Sequence, residues 1–378
     1  MSKINTYDVI IIGAGLSGLS LAEEISRRTD HRILILEKKR KFQNDKNWCF
    51  WNLPENKFTK YADHSWKKII IKFNSKKIEL SDKKVSYLHI YPQTFYKKIL
   101  KVLKNRKIEI LLNQDVKQIK INKEGSVVNS NKKKYVAKLV FDSRPSIFQK
   151  NKNKLYQHFL GFEVLFKKKV FNFKEITLMD FQSFHKGVHF FYILPFSSKR
   201  ALIETTYFST KIKKVEEYRK EIKKYINHNF PKLQYKILNE EKGIIPMYHQ
   251  KIYKESGYLK IGTSGNWVRS STGFSFQDSF KNSKIITNNL IKTNEVLPLR
   301  ENFHSFLDDV FCYYIKTFPT SSKDFFFSFF SKNKLKDIVY FLTGELSFLR
   351  TLLIIKSLPK LKLIASLVSI LKIKLLNK

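Results

Sequence analysis

The chain of 378 residues holds only two cysteines, Cys49 and Cys312, 263 positions apart, with no CxxC pair and no histidine cluster beside either. That excludes a disulfide framework, leaves no metal site to expect and fits a reducing cytoplasm. Acid is scarce too: 32 Asp and Glu face 72 Lys and Arg, a formal net charge of +40. So basic a chain is drawn to nucleic acid or to anionic lipid. Its lysines, however, are spread over the whole sequence rather than gathered on one element with interleaved aromatics, which argues against nucleic acid. Lysine as generic surface polymer would give the same excess, so charge alone names no partner. Long apolar runs are also missing. No stretch reaches the ~18 uninterrupted apolar residues of a membrane span. The first apolar run, "YDVIIIGAGLSGLSLA", is broken by glycines and followed by no small-residue cleavage site, so no secretory leader is expected. At 43% hydrophobic content, what remains suffices for a large core and two or three subdomains.

The clearest motif stands at the start. "DVIIIGAGLSGLSLAEEI" runs an apolar strand into Gly13, Gly15 and Gly18, spaced GxGxxG, and then into a helix; "RILILEKK" supplies a second strand ending in Glu37. This order reads as a βαβ dinucleotide fingerprint. Gly13 permits the tight turn, Gly15 lets backbone approach a pyrophosphate, and Gly18 lets helix pack closely on strand, while the helix amides face the phosphates. Glu37 is placed to accept hydrogen bonds from ribose hydroxyls. The fingerprint alone does not choose between FAD and NAD. A second glycine-bearing strand-to-helix turn far downstream, "YLKIGTSGNWVRSSTGFSFQDSFKNS" at 258–283, is the layout of FAD-binding monooxygenase-like chains. There Gly262 follows a strand, and Thr272 and Gly273 open a helix whose amides would face a flavin. "YVAKLVFDSRP" reads as the returning strand, with Asp142 at its end near the cofactor.

From 155 to 210 the pattern is antiparallel: "HFLGFEVLF", "ITLMDF", "VHFFYILPF" and "RALIETTYF", with turns expected at Lys186-Gly187 and Ser197-Ser198. On the last strand the parity rule puts Leu202, Glu204, Thr206 and Phe208 on one face. A lone carboxylate in so apolar a run costs free energy unless it is paired, solvated or used. Segment 211–230 and most of 280–378 read as helical. From Phe325 onward, apolar clusters recur at helical spacing with lysines every few residues. That suits basic amphipathic helices in a membrane interface, or helices packed on the protein's own core.

Several stretches, taken as a set and in order, resemble the flavin-dependent lycopene cyclases of bacterial β-cyclase type. They are "DVIIIGAGLSGLSLA", "DKNWCFW", "VFDSRP", "LGFEV", "LMDF", "FFYILPFSSKRALIETTYFS", "GIIPM" and "IGTSGNWVRSSTGFSF". The resemblance covers nearly the whole chain; it departs at Asn47, where Thr is expected. It implies an α/β fold: a Rossmann-like, monooxygenase-like FAD-binding domain (1–150, completed by a second flavin motif at 256–290), an antiparallel β substrate-binding part (151–255) and a helical, membrane-associating C-terminal region (291–378). It further implies bound reduced FAD, NAD(P)H as reductant, lycopene as substrate, and residence in the cytoplasm on the inner face of the membrane, against anionic lipid.

The implied reaction is an isomerisation. A proton adds to the terminal double bond, a neighbouring alkene attacks the tertiary cation, and a ring proton leaves. Glu204 would be the acid, kept protonated by apolar surroundings, with Asp180 of "LMDF" as a second carboxylate that helps it. Trp48, Phe50 and Trp51 would offer π faces to the substrate cation or simply form core. The rivals are a flavin monooxygenase or geranylgeranyl-reductase-like enzyme and a non-catalytic membrane flavoprotein. Against the first, the second flavin motif lacks the "GD" pair usual in hydroxylases.

Overall fold

The computed structural model describes residues 5–376 apart from 45, 54–57, 74–75, 123–124, 146–152, 183–186 and 294. Lys186 of the expected Lys186-Gly187 turn thus lies outside the described residues. The first strand, Asn5–Ile12, pairs in parallel with Lys134–Asp142 on one side and with Ile33–Leu36 on the other. Its Val9, Ile10, Ile11 and Ile12 are all buried, because a parallel sheet is covered on both faces and reads as a continuous apolar run. Ile108–Leu111 and Tyr258–Lys260 extend the parallel order at either side, and Val116–Asn122 with Gly125–Ser130 forms an antiparallel meander on Lys134–Asp142. Helices Leu16–Arg28 and Phe276–Thr293 pack against each other beside this sheet. The two flavin motifs read in the sequence therefore meet in space.

The second sheet has seven strands, in the order Tyr235–Pro246, Tyr156–Phe166, Arg200–Ser209, Val188–Pro195, Glu175–Phe181, Lys68–Phe73 and Lys76–Ser81. It is antiparallel except where Glu175–Phe181 runs parallel to Lys68–Phe73. The antiparallel region read at 151–255 thus recruits two strands from residues 68–81. Those short lysine-flanked runs find their partner only through a pairing remote in sequence, which periodicity does not report. Helix Val215–Asn229 covers one face, burying Tyr218, Ile222, Tyr225 and Ile226 against Leu160, Phe162 and Phe191. The other face looks toward a small sheet of Trp48–Asn52, Ser86–Ile90 and His64–Trp66 and toward the C-terminal helices.

Those helices are Phe303–Thr317, Ser322–Ser331, Leu335–Thr343, Phe348–Ser357 and Lys360–Leu376. Phe325, Phe326, Phe329 and Phe330 fall on one face of the second of them and are buried in the same core as the seven-stranded sheet. Packing on the protein's own core therefore holds for this face of the tail, while the last two helices leave a leucine-rich face outside. Among the described residues, no single helix is long and apolar enough to cross a membrane.

Asp142 ends its strand fully buried. Arg144 donates to it through Nε (2.9 Å) and Nη2 (2.7 Å), Lys260 through Nζ (2.8 Å) and Tyr258 through its hydroxyl (3.0 Å). Burial works to raise its pKa, but the two cations override that and hold the carboxyl below its usual value. A depressed carboxyl contributes stability above the unfolded-state pKa of about 4 and loses it as pH falls further. Asp142→Asn is therefore expected to destabilise the fold by about 3 kcal/mol near neutral pH, with the difference shrinking in acid denaturant titrations.

Candidate active site

The cofactor end follows from the first turn. Gly13 sits at φ +97°, a conformation that side chains rarely adopt, and a Cβ on Gly18 would lie 2.0 Å from the Gly13 carbonyl oxygen. Gly15 differs: a Cβ there would meet no atom within 4 Å, so it borders an open cradle at the N-terminus of helix Leu16–Arg28. Glu37 fixes the turn, taking the Ala14 N–H on Oε2 (2.6 Å) and the Lys39 N–H on Oε1 (2.8 Å). Each oxygen keeps a lone pair for a further donor. Open space at Gly15, free helix amides and an acid at the end of the second strand fit the pyrophosphate and ribose of a dinucleotide.

From Gly15 a cavity of about 860 Å³ runs past Ser143, Gly262, Thr272 and Gly273 to the seven-stranded sheet. Its far walls are mostly apolar. Leu202, Glu204, Thr206 and Phe208 form one side, as strand parity requires, and Trp48, Trp51, Tyr87 and Tyr192 line it as well. Phe325, Phe326, Phe329 and Phe330 of the C-terminal helices close it over. Arg269 ties this roof to the Thr272 loop: its Nε reaches Asp308 Oδ2 at 3.0 Å, and a guanidinium nitrogen donates to the Leu342 carbonyl.

Glu204 is only 7% exposed. Burial above all, and next the charge of the Glu241 carboxylate, push its pKa up to about 8, while the Thr206 hydroxyl, donating to Oε1 at 2.6 Å, works weakly the other way. An acid in an apolar wall that keeps its proton at neutral pH is a proton donor.

The structure brings Gly15, Trp48, Trp51, Glu204, Gly262, Thr272 and Gly273 to this cavity, with Gly13, Gly18 and Glu37 building the turn at its cofactor end. Three expected residues stand elsewhere. Asp180 pairs in register with Phe191 and accepts from the Tyr225 hydroxyl at 2.6 Å, with Lys72 Nζ 3.6 Å away. It lies on the face covered by helix Val215–Asn229, so it does not help Glu204. Asp142 has its carboxylate taken up by Arg144, Lys260 and Tyr258 and does not line the cavity. Phe50 points opposite to Trp51 and stacks on Phe276, 4.6 Å between centroids, as core. The sequence reading missed Glu241, and Asn47 too as anything beyond a departure from the resemblance. The "EE" before "GIIPM" marked the first, but which of the two acids faces inward depends on a strand register that one sequence does not reveal.

A nucleotide cradle leading into a roofed apolar cavity is a fold this chain shares with solved structures of reductase-like, halogenase and monooxygenase proteins. A geranylgeranyl bacteriochlorophyll reductase-like protein of Thermoplasma acidophilum superimposes with a TM-score of 0.71 at 13% identity, over 97% of this chain and 100% of that one. The p-nitrophenol 4-monooxygenase PnpA of Pseudomonas putida does so with a TM-score of 0.57 at 12% identity, over 95% and 99%. Within that fold class the chain belongs to the lycopene cyclase family: the sequence profile described as "Lycopene cyclase protein" matches residues 8–366. Similar curated proteins include the chromoplastic capsanthin/capsorubin synthase of Citrus sinensis, 23% identical over 71% of this chain and 57% of that protein. The chloroplastic neoxanthin synthase of Solanum tuberosum is 24% identical over 76% and 61%. The chain thus spans about three fifths of the length of the curated relatives it matches.

A carboxyl whose folded pKa is raised binds its proton more tightly folded than unfolded, so stability falls as pH climbs from the unfolded pKa near 4.3 through the folded one. Glu204→Gln removes that penalty. Its Tm is expected to exceed that of the native protein at about pH 9 and to match it at about pH 4, as read by scanning calorimetry.

Proposed function

We propose that the protein is a lycopene β-cyclase, a redox-neutral isomerase that closes the acyclic ends of lycopene into β-ionone rings. The observation that carries this reading is Glu204, an acid protonated at neutral pH in the apolar wall of a cavity roofed by phenylalanines. Reduced FAD, held by Gly13, Gly15, Gly18, Glu37, Gly262, Thr272 and Gly273 and kept reduced by NAD(P)H, would supply negative charge that favours a substrate cation. The protein's own residues do the rest. The Glu204 hydroxyl gives its proton to the terminal double bond, and the neighbouring alkene closes on the tertiary carbon. The faces of Trp48 and Trp51 stabilise the cation by roughly 0.5–2 kcal/mol each. The phenylalanine roof excludes water that would quench it.

A hydrocarbon substrate resides in a bilayer, and the tail is built for that surface. Leu349, Leu353 and Leu361 are 75%, 65% and 87% exposed on the last two helices, with Lys356, Lys360 and Lys362 among them. The same helices turn Ile355, Leu363 and Leu367 into the cavity, with Leu358 between them. We place the protein in the cytoplasm, on the inner face of the membrane, with this strip in anionic lipid and the cavity mouth opening into the acyl chains.

In a lycopene-accumulating bacterium the native chain is expected to convert the pigment to β-carotene, and Glu204→Gln to lose that by 10²–10⁴-fold while still co-purifying with FAD. Unchanged lycopene with a flavin-loaded protein would instead favour reductase- or monooxygenase-like chemistry. In vesicle flotation, Leu349→Ser, Leu353→Ser and Leu361→Ser together are expected to weaken binding to anionic vesicles at least about tenfold, since each leucine's burial contributes ~1.5–3 kcal/mol when complete. Undiminished flotation of that variant would rule the docking surface out.

A further inference from the structure

Resting on the cyclase reading, we propose that Glu241 is the second half of the acid-base pair: the carboxylate that leaves the pair's single proton on Glu204 and receives the proton the new ring gives up, with Asn47 aiming it. Sheet register carries the argument. Gly161 on the central strand lies opposite Glu204 on one side and opposite Glu241 on the other. Residues in one such row project from the same face, and both glutamates line the cavity. Between them Gly161 contributes no side chain. A Cβ there would sit 2.9 Å from Leu202 Cδ1 and 3.2 Å from Glu204 Cβ, so the glycine leaves the gap into which the two acids lean. The neighbouring Glu240 points the other way, to Arg219 of the covering helix (2.8 Å), so the "EE" pair divides between the two faces.

Asn47 gives the two carboxyls different roles. Its Nδ2 donates to Glu241 Oε2 at 2.8 Å, and its Oδ1 sits 2.6 Å from Nε2 of the fully buried His89. Burial keeps that imidazole neutral, with the His64 ring a smaller cause. An amide oxygen only accepts, so His89 Nε2 carries the hydrogen and locks the amide with its N–H side toward Glu241. A donated hydrogen bond favours the ionised form, and Asn47 is fixed in that role at Glu241, whereas at Glu204 the hydrogen bond from the Thr206 hydroxyl works only weakly against burial. The remaining titratable groups around the pair do not disturb this assignment. Cys49, Tyr87 and Tyr192 are held neutral by burial, Arg269 and Asp308 neutralise each other, and the other charged groups that line the cavity, Lys46 and Lys242, are cations.

The steps balance without any electron leaving. Glu204 gives its proton to the less substituted carbon of the terminal alkene and becomes a carboxylate, and ring closure forms a C–C bond that moves the cation onto a ring carbon. The ring C–H then breaks, its electron pair forms the new double bond, and its proton goes to Glu241. Transfer of that proton across the pair to Glu204 restores the starting state, so the product is an isomer.

The test uses the full chain, flavin-loaded and reduced, with lycopene in anionic vesicles, and follows two readouts. Glu241→Gln is expected to keep its FAD absorbance and its Tm yet to lose at least about 100-fold in kcat. Asn47→Ala is expected to shift the acid limb of the pH-rate profile upward, because losing a donor disfavours the ionised form. Native rate and profile in Glu241→Gln overturn the inference while leaving the cyclase reading in place. The second readout needs no activity: the infrared band of the protonated Glu204 carboxyl, assigned by its loss in Glu204→Gln, should fade at lower pH in Glu241→Gln than in the native protein. An inactive native enzyme would sink the cyclase reading, and this titration still decides the pair, since identical fading in both proteins overturns it.

Discussion

A carboxyl group that must stay neutral at physiological pH has to be kept from water, and each unit by which its pKa is raised costs about 1.4 kcal/mol of ionised-state stability. Glu204 meets that condition, buried and with its pKa raised, through several features of the fold. The strand places it inward, Thr206 donates a hydrogen bond to it, the glycine opposite removes the side chain that would fill its space, and a phenylalanine-rich roof covers the wall. On the proposed reaction the same apolar, aromatic lining suits a carbocation, which water would trap and which aromatic faces tolerate.

The roof and the cofactor cradle are not independent. Arg269, in the loop that carries Thr272 and Gly273, reaches both Asp308 and the backbone of the C-terminal helices, and His249 and Lys374 add pairs to Asp309 on the same helix as Asp308. A charged network ties these helices to the loop over a mostly apolar chamber. Ionic contacts fix direction and register where apolar packing alone would let helices slide.

Local signals were legible and long-range ones were not. The GxGxxG turn, Glu37 and the facing of Leu202, Glu204, Thr206 and Phe208 follow from glycine geometry and the two-residue period of a strand, and the structure carries each of them. Asp180 was misplaced because a bulge between Thr177 and Asp180 shifts the register against the neighbouring strand, and a one-residue slip moves a side chain to the opposite face. Asp142 sits at the strand end where the sequence put it, but cations at 144 and 260 claim its carboxylate. Glu241 lies two strands from Glu204 and 37 residues on in the chain, so only the register of three strands makes them neighbours. The basic tail read as interface or as core, and the structure packs its phenylalanine face in the core.

The path of the chain has a consequence for how such a molecule can be made. It enters the nucleotide sheet at 5–36, leaves for the other two sheets over 48–90, returns at 108–142, leaves again until 246, and comes back at 254–260. Neither half is a contiguous cassette, so no single cut separates a cofactor unit from a substrate unit, and exchanging either between relatives would need several simultaneous splices. On the ribosome, strands 68–73 and 76–81 emerge well before their partner at 175–181. At ~5–20 residues per second that is a wait on the order of 5–20 s, during which an isoleucine-rich strand has an open edge. Lysines flanking such an open edge are the kind of gatekeeper that keeps it soluble, a use for positive charge quite apart from any lipid.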